Sequence, residues 1–152
     1  MAHITKADIY YLFDELWPEM IYASEYRVSC LDQFSAIDNY FRRYPEPEHN
    51  ELLQGLCSLD KIGITIATGL IHSAHRETRV PFDKWTMGYA LKEDILKSDR
   101  ISTRYVRCCE RIKDYCDGYT IEEDGREVPY RIIHFVREAA DRLNEELTIK
   151  PK

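Results

Sequence analysis

Apolar residues recur at intervals of three and four along most of the chain, the spacing of helices that each bury one face. Ile9, Leu12, Phe13 and Leu16 form such a stripe and predict a first helix over Thr5–Trp17. Thr5 stands where an N-cap belongs, with Asp8 in the capping-box position, and Pro18 ends the run. Leu31, Phe34, Ile37, Phe41 and Tyr44 predict a second helix over Ser29–Arg43, and Tyr44-Pro45-Glu46-Pro47-Glu48 then breaks the pattern. A fourth helix follows Pro81-Phe82-Asp83, with Asp83 as its cap and Trp85, Leu91 and Ile95 packing inward. Tyr105, Cys109, Ile112 and Cys116 predict a fifth over Ser102–Asp117, closed by a left-handed Gly118. Asp124-Gly125 between two short apolar stretches predicts a hairpin over Tyr119–Tyr130, with Pro129 confining its strand to an edge. Ile132, Val136, Ala139 or Ala140, and Leu143 predict a last helix over Arg131–Leu147.

The segment from Asn50 to His75 admits two structures. Ile62, Ile64 and Ile66 alternate with Gly63, Thr65 and Ala67, as in a strand, yet no turn signal separates Leu56 from Lys61. A single third helix over Asn50–His75 is the expectation. Its circumference is then mostly apolar, with one polar seam of Lys61, Thr65, Thr68, His72, Arg76 and Arg79. Gly55, Gly63 and Gly69 each disfavour a helix by up to about 1 kcal/mol against alanine, which close approach of neighbouring helices would offset. The fold class expected is mainly α: a single-domain bundle spanning residues 1–152, with five or six helices and a small β-hairpin near 119–130.

Composition narrows the function classes. The chain has 152 residues, enough for one domain with a sizeable core and no need of a disulfide or metal staple. Against 21 Lys and Arg stand 27 Asp and Glu, a net charge of −6 that disfavours coating of nucleic acid or of an anionic membrane. The order of charges and apolar residues at the N-terminus is not that of a signal peptide, and Ile62–Ile71 is about half a membrane span. A cytoplasmic protein is expected, with Cys30, Cys57, Cys108, Cys109 and Cys116 reduced. No cofactor fingerprint or nucleotide loop is present, and neither the cysteines nor His72-x-x-His75 has metal-site spacing.

Three constellations could carry chemistry. Thr68, His72, His75, Arg76, Arg79 and Lys84 could converge on a small anion such as a phosphate. Alternatively, His72 could act as a general acid or base placed by Glu77 or Asp83, or the group could be the solvated end of a helix. Residues 91–107 could form a helix-turn-helix with the hairpin as a wing, presenting Arg104, Arg107 and Arg111 to nucleic acid. The acidic residues Glu122, Glu123, Asp124 and Glu127 of that wing oppose this. Tyr10, Tyr11, Tyr22, Tyr26, Tyr40 and Tyr44 crowd the first third and suit the rim of a bundle or a contact surface. The function expected is a non-catalytic interaction or regulatory protein with a protein partner or a second copy. An anion binder, with enzymatic activity left open, and a winged-helix regulator are the alternatives.

Overall fold

The capping box forms as the sequence requires. The Asp8 backbone N–H donates to the Thr5 hydroxyl at 3.3 Å, and the Thr5 N–H donates to the Asp8 carboxylate at 2.9 Å. This starts α1, Lys6–Tyr10, in a computed structural model that describes residues 3–46, 50–83, 85–86 and 101–149, the side chains at 50, 101–104 and 149 excepted. The predicted continuation to Trp17 is helical but wider. Tyr11–Leu16 is a π-helical turn, closed by the Trp17 N–H on the Leu12 carbonyl at 2.9 Å. An i→i+5 turn advances less per residue around its axis, so the consecutive side chains Tyr11, Leu12 and Phe13 are all buried. The carbonyls this turn leaves open are taken up by the last helix. Asn144 donates to the Leu16 carbonyl at 2.8 Å and Arg137 to the Glu15 carbonyl at 3.3 Å.

The remaining elements are α2 (Ala23–Asp32), α3 (Phe34–Arg43), α4 (Asn50–Cys57), α5 (Ile64–Ala74), α6 (Ile101–Asp117), the antiparallel pair β1 (Thr120–Glu123) and β2 (Arg126–Pro129), and α7 (Ile132–Ile149). The protein is mainly α with a small hairpin, and the described residues hold seven α-helices rather than five or six. Two predicted helices are each divided, for one shared reason. Gln33 leaves helical geometry at φ −100°, ψ 14°, separating α2 from α3. Its side-chain amide then pairs with the backbone of Asp60, donating to the carbonyl at 2.8 Å and accepting from the N–H at 3.1 Å. That clasp holds the turn between α4 and α5. Within the turn the Ser58 hydroxyl bonds the Gly55 carbonyl at 2.6 Å, and Lys61 takes a left-handed φ of 61°. The expected rod over 50–75 is therefore two helices, but its second half is a helix and not a strand.

Two of the three glycines in this region sit where helices meet. A Cβ on Gly55 would collide with the Tyr40 ring of α3. One on Gly69 would lie 2.9 Å from Leu12 Cδ1 and 3.0 Å from the Trp17 ring. Gly63 instead opens α5 in extended geometry with nothing close to it. One hydrophobic cluster joins Ile9, Leu12, Cys30, Ile37, Leu52, Ile66, Tyr105 and Val136, so α1 to α7 and the π-helical turn all contribute to it. On α6 the predicted face of Tyr105, Cys109, Ile112 and Cys116 is buried, as are Ile132, Val136 and Ala140 of α7. The hairpin turns on Asp124 and Gly125, both at positive φ, with Ile121 opposite Val128. Gly118 does not adopt the left-handed geometry expected of it. The N–H groups of Gly118 and Tyr119 close i→i+3 turns on Tyr115 and Cys116, which satisfies the helix end without it. The helix predicted after Asp83 begins at Trp85 and Thr86, and Leu91 and Ile95 lie outside the described residues.

Candidate functional site

The polar seam of α5 faces the protein and not solvent. Residues 66–73 are all buried, because α5 packs on the π-helical turn, on α1 and on α4. After α5 the chain doubles back along it. Thr68 Oγ1 donates to the Ile64 carbonyl at 2.7 Å and accepts the Phe82 N–H at 2.9 Å. His72 Nδ1 lies 2.7 Å from the Arg79 carbonyl, and its Nε2 lies 2.9 Å from the Tyr11 hydroxyl. A carbonyl only accepts, so Nδ1 carries the proton and Nε2 accepts from Tyr11. Thr68 and His72 thus satisfy backbone groups of the returning strand of chain, whose Val80, Phe82 and Asp83 are buried.

His72 is fully buried, and burial lowers its pKa from 6.5 to about 4. The Arg79 carbonyl opposes that drop, while the charges of Arg76 and Arg137 add to it. Burial likewise raises the Tyr11 hydroxyl. The pair is a neutral hydrogen-bonded couple at neutral pH, with no charge on the imidazole to attract an anion.

Arg76 closes the outer side of this couple. Its guanidinium carbon lies 3.7 Å from the Tyr11 ring centroid, Nη2 donates to Asp8 Oδ1 at 3.0 Å, and Nε donates to the Ser73 carbonyl at 3.1 Å. The side chain is 38% exposed, so it stacks and pairs at the boundary with water. Arg79 donates from Nη1 to the Thr78 carbonyl. His75 stacks on Phe41 with centroids 6.5 Å apart. The structure therefore gathers Thr68, His72, Arg76 and the Arg79 backbone along one line. His75 turns to another neighbour, and Lys84 lies outside the described residues.

Asp8, Tyr11 and Trp17 complete the cluster; the sequence marks Asp8 as a capping partner and Tyr11 as one of a crowd of tyrosines, and assigns none of the three to this site. Tyr11 is 61 residues from His72, and no local spacing signals that pairing. Asp83 caps Trp85 and Thr86, accepting both backbone N–H groups at 3.0 and 2.9 Å. The Trp17 indole and the Thr86 hydroxyl also face its carboxylate. Burial raises its pKa and those hydrogen bonds oppose the rise.

The other constellations are placed as follows. Arg107 and Arg111 are exposed one turn apart on α6, the Arg104 side chain lies outside the described residues, and the nearby hairpin carries Glu122, Glu123, Asp124 and Glu127. Cys30, Cys108, Cys109 and Cys116 are buried and Cys57 is exposed, all as free thiols. Burial pushes Cys30 up to about 12 and Cys109 and Cys116 up to about 11, which leaves them protonated and poor nucleophiles. Among the described residues no group of His, Cys, Asp and Glu is arranged to hold a metal, and no helix is long and apolar enough to cross a membrane.

Large apolar side chains do stand in water elsewhere. Ile21, Tyr22 and Val28 are 56%, 63% and 52% exposed at the start and along the outer face of α2. Beside Val28 lies an open groove of about 500 Å³ between α2 and the Gln33-clasped turn. The sequence concealed this feature because its apolar stripe begins the second helix at Ser29, six residues after α2 starts at Ala23. No known family model, curated protein or solved structure matches this chain.

Proposed function

We propose that the protein is a non-catalytic interaction protein of the cytoplasm that meets a protein partner through α2 and the turn before it. The observation that carries this reading is the exposure of Ile21, Tyr22 and Val28 on one short stretch of chain next to a groove. Tyrosine and branched aliphatics in that position bury area on contact at little conformational expense. α2 is also thinly anchored, with Cys30 its one fully buried side chain. Support for the alternative, an anion site at His72 and Arg76, is weaker. It needs Arg76 to leave Asp8 and the Tyr11 ring, and it needs a charged His72.

A photo-reactive amino acid placed at Tyr22, with a second placed at Arg126 in the hairpin as control, tests the proposal in the cells that make the protein. Discrete cross-linked species from position 22 that vanish in Val28→Ser support it. Equal products from both positions, or none from position 22, overturn it.

A further inference from the structure

The groove beside α2 has a chemistry that selects among partners. Val28 gives it an apolar wall. Around that wall stand Glu25 and Asp32 of α2 and Asp60 of the facing turn, against the single ammonium of Lys61. Asp8, Asp14 and Asp38 are each held by an arginine of this chain, at 3.0, 2.6 and 2.8 Å. Glu25, Asp32 and Asp60 are exposed and have no salt-bridge partner among the described residues. Their negative potential is therefore only partly offset, by Lys61, beside the apolar wall of this groove.

We infer that the groove takes a basic amphipathic helical segment of another protein, its apolar stripe against Val28 and its lysines or arginines against Glu25, Asp32 and Asp60. This rests on the interaction reading above and names its partner class. A second copy of this chain fits less well. Two such faces opposed would bring three carboxylates from each side against one lysine from each. The groove is also rigid on its far side, because Gln33 fixes both backbone groups of Asp60, so the acidic wall is already in place before a partner arrives.

The test uses the full chain and a labelled synthetic helical peptide of leucine and lysine, with its leucines on one stripe, read by fluorescence anisotropy. Its counterpart carries glutamate for lysine. The lysine peptide binds the wild type and the glutamate peptide does not. Val28→Asp is the decisive variant. It makes the face more acidic, so attraction by charge alone would tighten binding, whereas loss of the apolar seat weakens it about tenfold. Glu25→Lys with Asp32→Lys weakens binding at least as much. Glu122→Lys with Glu127→Lys in the hairpin makes the same change in net charge and leaves binding within about twofold. All these positions are exposed, and far-ultraviolet circular dichroism confirms that the variants are folded; Val28→Ser replaces Val28→Asp should the latter unfold. Tightening or no change in the Val28 variant, or equal weakening by the hairpin variant, overturns the inference. So does self-association in sedimentation that Val28→Asp abolishes, although that last result would leave a contact surface at α2 intact.

Discussion

Replacing His72 by asparagine isolates the energetic weight of the buried imidazole. Asparagine keeps a donor for the Arg79 carbonyl but takes up no proton and cannot accept from the Tyr11 hydroxyl in the same place. At pH 7 the variant is expected to be less stable by about 1–3 kcal/mol, the usual range for a buried hydroxyl left without its acceptor. The more discriminating quantity is how that gap changes with pH. The imidazole is protonated at a lower pH in the folded protein than in the unfolded chain, from 6.5 down to about 4. Between those values the unfolded chain binds more protons, so stability falls as the pH drops through that window and the loss is complete below about 4. At about 1.4 kcal/mol per pH unit the wild type should lose about 3 kcal/mol from this group alone, a large share of the total for a domain of this size. Other titrating groups, Asp83 among them, are common to both proteins and cancel in the difference. Urea midpoints measured from pH 7.5 to 3.5 on both proteins give the curve. The wild-type advantage should shrink steadily below pH 6.5 and reach zero or change sign near pH 4. A gap that stays constant across that range would refute the neutral, buried couple, as would a His72 ring proton resonance that titrates with a midpoint near 6.5.

Gly69→Ala should lower stability by about 1–3 kcal/mol through overpacking against Leu12 and Trp17, while Gly63→Ala should be nearly neutral, both read from thermal melts. Thr68→Val should be destabilising by about 1–3 kcal/mol because the Phe82 N–H loses its acceptor inside the protein. A thiol reagent such as dithionitrobenzoate should label one cysteine, Cys57, rapidly in the folded protein, and the other four only on unfolding; two or more fast thiols would contradict the packing of α6 or α2.

What was legible in the chain were features carried by residues close together in sequence. The Thr5–Asp8 box, the Asp124-Gly125 reversal, the buried faces of α6 and α7, and the close approach at Gly55 and Gly69 all follow from local spacing and side-chain size. What escaped depends on partners far apart. The division of 50–75 needs Gln33, which reaches Asp60 across 27 residues of chain. The same residue divides the second helix, so one long-range clasp accounts for both corrections. Helical spacing correctly aligned Thr68, His72 and Arg76 on one edge, yet spacing carries no information about which way an edge points. The edge is covered by parts of the chain far from it in sequence: the returning segment, whose Phe82 and Arg79 backbone groups it captures, and the wide turn, whose Tyr11 meets His72. The groove at α2 was hidden for a related reason: Val28 stands among Arg27 and Ser29 and reads as an isolated apolar residue until α2 is seen to begin before it.

The wide turn at Tyr11–Leu16 bears on where this chain can vary in length. An i→i+5 coil holds one residue more than an ordinary helical turn, so deleting a single residue there would relax it to α-helical geometry with the flanking backbone nearly undisturbed. A deletion in α5, an ordinary α-helix with no such slack, would rotate everything on one side of it by about 100° about the helix axis. His72 would then swing off Tyr11, or Gly69 would swing off Leu12 and Trp17. The wide turn can thus lose one residue and keep both its neighbours in register, whereas α5 is fixed in length by a phenol–imidazole contact and an indole–glycine contact one turn apart.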